Sequence, residues 1–266
     1  MGKRRVDGGR GRRADVVKSK RPVKAARSNG NKRFYLVLAG VAVVGIGLVG
    51  WSIARPRPAF QVTDVKATPA QSQGYLYGNP NAPVHIIEFG DFECPACGEF
   101  ANVTEPDIRK RIVDAGLANL TFIDFPLIEV HRNTVPASEA AACAADQGKF
   151  WQMHDRLFSG QLEWNGEATS NPKKVFQRYA KELGLDTEKW EQCFDSQQHL
   201  TRIMGNRAEA ERRHVDQTPT FFIGTKMIPG PIPYDVFKAY VDQAAAQVAM
   251  QSAARADSQK KAGAKP

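Results

Sequence analysis

Apolar residues between positions 75 and 248 occur as dense short runs in some segments and at helical spacing in others. Two runs, 84–89 and 120–126, are rich in β-branched and aromatic residues and are bounded by proline or glycine, which is typical of strands. Between them, residues 95–115 have apolar positions at roughly helical spacing, and Pro106 predicts a kink or a break in that helix. The pattern predicts strand, helix, strand, as in an α/β sheet domain.

The chain after residue 131 is predicted to be helical before it returns to sheet. Four helices are expected first, over residues 137–158, 172–183, 186–194 and 196–214. Two short strands, 220–223 and 226–228, and a last helix over 234–248 are expected to follow. The predicted domain therefore covers residues 75–248 and has the α/β class, with a helical insertion at about 131–214 between a βαβ half and a ββα half.

A continuous apolar segment precedes this domain. Residues 34–54 contain no charge and no proline. At 1.5 Å per residue a helix of this length spans about 30 Å, the thickness of a bilayer's hydrocarbon core. We predict one transmembrane helix here; the alternative is a cleaved secretory signal with Ser52–Ala54 as the cleavage site. Either form directs export.

The net charge of +9 over 266 residues is concentrated before the apolar segment. Residues 1–33 contain thirteen Lys and Arg against two Asp, so the remainder is nearly neutral. This bias predicts a disordered cytoplasmic tail and a domain outside the cytoplasm. The expected partner of the tail and of residues 34–54 is the lipid bilayer, not nucleic acid. Residues 55–74 are predicted to be a linker and 249–266 a disordered tail.

Two cysteines two residues apart follow the first predicted strand. Pro95 suits the first turn of a helix, which places Cys94 at the N-cap. Free backbone N–H groups and the positive end of the helix dipole stabilise a thiolate there. A thiolate is the form of cysteine that attacks disulfides, and Cys97 lies one turn on. We predict a redox dithiol, with Cys94 as the nucleophile and Cys97 as the resolving thiol.

A zinc site and a structural disulfide are the weaker alternatives for this cysteine pair. Half of a zinc site would need two more ligands at matched spacing, and the chain has no second Cys-x-x-Cys. A purely structural disulfide across four residues is strained and gains little from closing so short a loop. No metal and no cofactor is expected, because the dithiol itself carries the electrons.

Several ionisable residues near the dithiol in sequence are weaker candidates. Glu93 is a possible tuner of the Cys94 pKa, although an exposed charge is the favoured interpretation. Asp124, and in the same way Asp91, is a weak candidate for a buried proton acceptor beneath the dithiol. His154 and His214 are expected to be structural or exposed.

Two further cysteines remain, Cys143 and Cys193. Because export leads to an oxidising compartment, they are expected to form a structural disulfide between neighbouring helices. An electron relay and two separate buried thiols are the alternatives.

Thr218-Pro219-Thr220-Phe221-Phe222 is the second distinctive motif, because a proline that opens an apolar strand cannot donate to the ladder. Combined with the dithiol unit and the insertion, it resembles the DsbA-type branch of the thioredoxin superfamily over about residues 75–248. Further supporting motifs lie at residues 78–83, 89–94 and 143–151.

The resemblance implies a cis bond at Thr218–Pro219, opposite Cys94, next to which the backbone pairs with a substrate strand. It also implies that the insertion caps the redox site. Members of this branch often have a histidine between the two cysteines, whereas this chain has Pro95-Ala96. A weaker oxidant is therefore expected.

Together these features predict a membrane-anchored, extracytoplasmic thiol–disulfide oxidoreductase. Its expected partners are exported cysteine-containing proteins and a membrane redox protein that recycles the dithiol. Disulfide formation is the favoured direction. Reduction or isomerisation by the same fold, and a non-catalytic chaperone-like binding module, are the alternatives.

Overall fold

The structure is a computed structural model that describes residues 30–54, 70 and 72–263. The chain divides into two compact units, residues 1–57 and 58–266. The predicted disordered tail, 1–33, lies outside the described residues as far as residue 29, and its last four residues belong to a helix, which corrects the prediction there. The predicted linker, 55–74, lies outside the described residues except for 70 and 72–74.

The first unit contains helix α1, Gly30–Ala54, which begins four residues before the predicted apolar span. Within the described ranges, no helix is both long enough and apolar enough to cross a membrane. The predicted transmembrane helix is therefore not confirmed.

A mixed sheet of five strands organises the described part of the second unit. The strands are β1 Tyr75–Tyr77, β2 Val84–Gly90, β3 Ala118–Asp124, β4 Thr220–Ile223 and β5 Lys226–Pro229. Their order is β1-β3-β2-β4-β5, in which β2 and β3 are parallel and the other neighbours are antiparallel. The thioredoxin-like α/β fold predicted from the sequence is confirmed, with β2 at the centre of the sheet.

The segment between β2 and β3 is one irregular helical rod. It consists of α2 Pro95–Glu99, a π-helical turn Phe100–Thr104, α3 Glu105–Ile108 and a second π-helical turn Arg109–Val113. Pro106 lies in the first turn of α3, where its missing N–H and fixed φ fit best. The predicted irregularity at this proline is therefore present.

The insertion contains six helices between β3 and β4. They are α4 Thr134–Ala145, α5 Phe150–Ser159, α6 Gln161–Trp164, α7 Lys173–Glu182, α8 Thr187–Ser196 and α9 Leu200–Arg212. The single helix predicted over residues 137–158 is wrong, because Gly148 turns the chain at φ +71° between α4 and α5. Asp186 caps α8 as predicted, accepting the Lys189 N–H at 3.1 Å.

The last helix, α10 Tyr234–Gly263, is longer than expected. The predicted disordered tail over 249–266 is wrong as far as residue 263. This stretch is rich in alanine and other strong helix formers, and an ion pair between Lys261 and Asp257, 3.2 Å long, supports its last turns.

The two faces of the sheet pack against different helices. Ile86 and Phe221 share one buried cluster with Phe100 of the irregular rod and Phe237 of α10. The opposite face packs Phe89 and neighbouring residues against the end of α9. Because side chains alternate along a strand, Glu88 lies on the same face as Ile86, beneath the rod that carries Cys97.

Candidate active site

The dithiol lies at the junction between β2 and α2. Cys94 is the N-cap residue, with extended backbone, and its carbonyl accepts the Gly98 N–H at 3.0 Å. The Cys94 side chain keeps 8% exposure, whereas Cys97 has none. Both cysteines are free thiols. Only Cys94 is therefore open to an approaching substrate.

The two thiols have opposite acidities. The pKa of Cys94 is lowered to about 6, chiefly by a hydrogen bond from the Cys97 side chain, against the opposing effect of burial. Burial raises the pKa of Cys97 well above its usual value, and the Cys94 and Glu88 charges add to this effect. At neutral pH Cys94 is therefore a thiolate and Cys97 a thiol.

The Thr218–Pro219 motif lies opposite Cys94, as predicted. The Thr218–Pro219 bond is cis, and the Cys94 sulfur lies 3.4 Å from the Thr218 carbonyl oxygen, to which it donates only when it is protonated. Antiparallel pairing of β4 with β2, which sets Thr220 opposite Phe89, brings this loop to the dithiol. Thr218 is itself buried, at 7% exposure.

Glu93 differs from the expected exposed charge. Its side chain is buried, and its carboxylate accepts the backbone N–H groups of Asn133 and Gly166, both at 2.5 Å. Burial raises the pKa of Glu93, and these two hydrogen bonds oppose that rise. The exposed-charge prediction is wrong because two donors from the insertion converge on this carboxylate. Through these two hydrogen bonds, Glu93 links the dithiol loop to the insertion.

Asp91 organises the same loop, and hydrogen bonds occupy both of its carboxylate oxygens. One carboxylate oxygen accepts the Glu93 N–H at 2.8 Å and the Thr134 hydroxyl at 2.6 Å. The other oxygen accepts the Leu127 N–H at 2.9 Å and lies 2.8 Å from His131 Nδ1. The hydrogen bond to Asp91 raises the pKa of His131.

Two residues of the insertion reach the site without any local sequence signal. His131 lines a cavity of about 540 Å³ with Glu93 and Pro95. The Gln161 side-chain amide donates to the carbonyl oxygens of Phe92, at 2.8 Å, and of Cys94, at 2.9 Å. Both contacts depend on how the insertion folds back, so only the tertiary structure reveals them.

The buried acid beneath the dithiol is Glu88, which sequence analysis missed. Neither of its carboxylate oxygens has a hydrogen-bond partner among the described residues, and its neighbours across the sheet are Phe122 and Phe221. Burial raises the pKa of Glu88 well above its usual range, and the Glu105 charge adds to the rise. A lone acid in the run Val84–Phe89 was the available signal.

Asp124 was also a candidate for the buried proton acceptor beneath the dithiol, but its contacts are with α9. It is fully buried at the end of β3, where it accepts the Asn206 side-chain amide at 3.0 Å and lies 3.7 Å from Arg202. Its pKa is raised by burial, against the effect of Arg202. Asp124 therefore joins β3 to α9.

The second cysteine pair forms a disulfide between α4 and α8, with Cys143 and Cys193 joined at a Cα–Cα distance of 5.8 Å. His199 lies near enough to complete a three-ligand cluster with the two sulfurs. A disulfide sulfur is not a thiolate, so this cluster does not fit a metal ion. Of the two histidines expected to be structural or exposed, His154 is fully buried and His214 is exposed.

The fold and this site define a member of the thioredoxin class. A family model described as Thioredoxin matches residues 70–243, and the chain belongs to that family. The crystal structure of Wolbachia pipientis alpha-DsbA1 is similar at a TM-score of 0.60 and 20% identity, covering 75% of this chain and 98% of that one. Oxidised BdbD from Bacillus subtilis is similar at a TM-score of 0.58 and 23% identity, covering 65% of this chain and 96% of that one. At these identities the likeness shows the fold alone.

Curated relatives carry two kinds of name. The chain is 31% identical over 225 residues to Na(+)/H(+) antiporter NhaA 3 of Salinispora tropica, covering 79% of this chain but 33% of the antiporter. It is 26% identical over 154 residues to the probable disulfide bond formation protein D of Bacillus anthracis, covering 58% of this chain and 71% of that protein. The chain thus spans about a third of the antiporter it matches.

Proposed function

We propose that this chain is a thiol–disulfide oxidoreductase that exchanges disulfides with exported cysteine-containing proteins, chiefly in the oxidising direction. The observation that carries the proposal is the asymmetry of the dithiol. Cys94 is partly exposed with a pKa of about 6, whereas Cys97 is fully buried with a raised pKa. This is the arrangement of an attacking and a resolving thiol.

In the oxidising direction the active form has a disulfide between Cys94 and Cys97. A substrate thiolate attacks the Cys94 sulfur, the Cys94–Cys97 bond breaks, and Cys97 leaves as a thiolate that takes up a proton. A second substrate thiolate then attacks the substrate sulfur of the mixed disulfide and releases Cys94 as a thiolate. The substrate has lost two electrons and the dithiol has gained them. A partner oxidant, proposed to be a membrane redox protein, removes them.

The acidity of Cys94 favours this direction, because a stabilised thiolate stabilises the reduced enzyme. Against an ordinary cysteine pKa of about 8.5, a pKa of about 6 favours the reduced form at pH 7 by roughly 1.4 kcal/mol. For a two-electron couple this makes the potential about 30 mV more oxidising. The name of the Bacillus anthracis relative supports the same direction.

Disulfide exchange assays on the full chain test the proposal. Wild type is expected to oxidise a reduced cysteine peptide catalytically when an oxidant is supplied, and to reduce insulin when a reductant is supplied. Cys94→Ser should abolish both activities, while Cys97→Ser should accumulate mixed disulfides at Cys94. Unchanged turnover in Cys94→Ser would overturn the proposal and favour the binding module.

We further propose that the domain works outside the cytoplasm, held at the membrane by residues 34–54. The apolar sequence of that segment and the basic residues before it support this proposal. Fractionation of cells that express the full chain, with alkaline extraction and protease treatment of spheroplasts, tests it. The chain should remain in the membrane pellet and be cleaved from outside; recovery in the soluble cytoplasmic fraction would contradict the proposal.

A further inference from the structure

Beneath the dithiol, four buried polar atoms on three elements have no hydrogen-bond partner in the described part of the chain. They are both carboxylate oxygens of Glu88, Oε2 of Glu105 and Nε2 of His154. All three residues are titratable and at most 1% exposed. Buried polar groups are normally paired, so this set is unusual and points to a role for these residues.

We propose that Glu105 and His154 form a proton path that connects Glu88 and the Cys97 thiol with solvent at Asp155. This inference rests on the proposed function, since it supplies the proton that each disulfide exchange adds to Cys97 or removes from it. It gives roles to residues that belong neither to the dithiol nor to the cis-proline loop.

The inner end of the path is Glu88, whose two carboxylate oxygens have no partner among the described residues and which lies on the sheet face beneath the rod that carries Cys97. The Glu88 charge is one of the influences that raise the pKa of Cys97, and Glu105 is the charged group that acts most strongly on Glu88. The strand neighbours of Glu88 are Phe122 and Phe221, which carry no charge. The ionisable side chains that act on Glu88 therefore come from the irregular rod above it.

One carboxylate oxygen of Glu105 accepts hydrogen bonds, and the other has no hydrogen-bond partner among the described residues. Its Oε1 accepts two hydrogen bonds from the Arg109 guanidinium, at 2.9 Å and 2.7 Å. Its Oε2 lies 3.9 Å from Nε2 of His154. This distance is too long for a direct hydrogen bond, so transfer requires a small side-chain rotation or one bridging water.

The surroundings of His154 suit an imidazole that changes tautomer. Its Nδ1 lies 2.9 Å from Oδ1 of Asp155, an acceptor, and 3.1 Å from the Arg109 guanidinium, a donor. With the proton on Nδ1, the ring donates to Asp155 and its Nε2 can take a proton from Glu105. With the proton on Nε2, Nδ1 accepts from Arg109. The ring thus takes a proton at one nitrogen and releases one at the other.

The outer end opens to water. Asp155 has 58% side-chain exposure, and with Arg109 it lines a surface cavity of about 700 Å³. Inward of it, the His154 ring is enclosed by aromatic rings with centroids 4.8–5.9 Å away, those of Phe92, Phe122, Phe150, Trp151 and Phe158. This apolar enclosure keeps water from the ring except at Nδ1, which faces Asp155 and Arg109 toward that cavity.

The proton balance follows the exchange reaction. When a substrate thiolate breaks the Cys94–Cys97 bond, the Cys97 thiolate takes a proton from Glu88. Glu88 regains it from solvent through Asp155, His154 and Glu105. When Cys97 later attacks a mixed disulfide, its proton leaves along the same residues in the opposite direction. No electrons move along the path.

Single-turnover kinetics on the full-length protein test the path. Oxidised wild type, His154→Ala, Glu105→Gln and a control, Glu139→Gln, are mixed with excess glutathione, and the rate is followed in H₂O and D₂O with and without imidazole. Glu139 is as buried as Glu105 but donates nothing to this path, since it accepts the His199 N–H beside the second disulfide. Glu105→Gln is isosteric, which keeps the test valid if His154→Ala fails to fold.

Both path variants should react about tenfold more slowly, a modest part of what positioned proton transfer contributes, with a larger solvent isotope effect. The reduction potential of His154→Ala should equal that of wild type, because a path alters rates and not equilibria. Imidazole should restore the rate of His154→Ala but not of Glu105→Gln. Wild-type rates in the variants, or an equal loss in Glu139→Gln, would overturn the path while leaving the proposed function intact. Absence of exchange in wild type would overturn both.

Discussion

The acidity of Cys94 depends first on the thiol of Cys97, and this dependence can be tested by two substitutions at one position. Cys97→Ala removes the side chain that donates to the Cys94 sulfur, whereas Cys97→Ser replaces it with a hydroxyl donor of similar size. We expect the Cys94 pKa to rise clearly in Cys97→Ala and to stay near its wild-type value in Cys97→Ser.

The size of the shift follows from the strength of the lost hydrogen bond. A hydrogen bond to a charged group contributes about 1.5–3 kcal/mol. At 1.36 kcal/mol per pKa unit, its loss should raise the pKa by roughly one to two units. Starting from about 6, the Cys97→Ala midpoint should therefore lie between about 7 and 8. Burial, which opposes ionisation, acts in both variants.

Alkylation by iodoacetamide measures this pKa directly, because only the thiolate reacts. Rates are recorded across the pH range for both variants, with thiolate absorbance near the ultraviolet edge as an independent measure. In each variant Cys94 is the only remaining free cysteine, since Cys143 and Cys193 form a disulfide. A Cys97→Ala midpoint that stays near the wild-type value, or equal shifts in both variants, would refute this account of the acidity.

Three further predictions concern stability. Because folding depresses the Cys94 pKa, the Cys94 thiolate stabilises the reduced folded protein above the unfolded pKa, and this stabilisation is lost as pH falls through about 6. In urea unfolding, the unfolding free energy of the reduced form should therefore rise by up to about 3 kcal/mol relative to that of the oxidised form between pH 6 and 8.5. A difference between the two forms that does not change with pH would contradict this. Above about pH 8.5 the raised pKa of Cys97 should reverse the gain. Replacing Cys143 and Cys193 by alanine, which opens a loop closed across 50 residues, should cost roughly 4 kcal/mol of unfolding free energy, and a loss near zero would exclude a stabilising role. Glu93→Gln leaves one backbone N–H unpaired and should lower the free energy of unfolding by about 1–3 kcal/mol in thermal unfolding. The control Glu99→Gln, at an exposed neighbouring position, should change this free energy little. Equal effects of the two substitutions would argue against the contacts between Glu93 and the insertion.

Local sequence patterns predicted those elements whose formation depends on neighbouring residues alone. The run before Gly90 forms β2, and Pro95 begins the helix that has Cys94 at its N-cap. The α4–α5 break was missed because Gly148 lies in a stretch whose other residues favour helix, and a glycine's φ is not visible in composition.

The site was predictable only where its chemistry is local. The dithiol is a contiguous motif, and the Thr-Pro motif was placed opposite it by resemblance. The burial of Glu93 and the approach of His131 and Gln161 depend on how the insertion folds over β2, which no local pattern encodes. Glu88 differs from these residues, because a local signal for it existed and was overlooked. A lone acid in an apolar strand, on the same face as Ile86, indicates a buried ionisable group.

The reduction potential of the Cys94–Cys97 couple tests the central claim most directly. The full chain is equilibrated in glutathione buffers of graded ratio, and the oxidised fraction is measured by trapping free thiols. We expect a reversible two-electron transition between about −180 mV, the value of protein disulfide isomerase, and about −120 mV, that of DsbA. A value near the −270 mV or so of thioredoxin would contradict oxidation as the direction. Absence of any reversible transition would contradict the redox function itself.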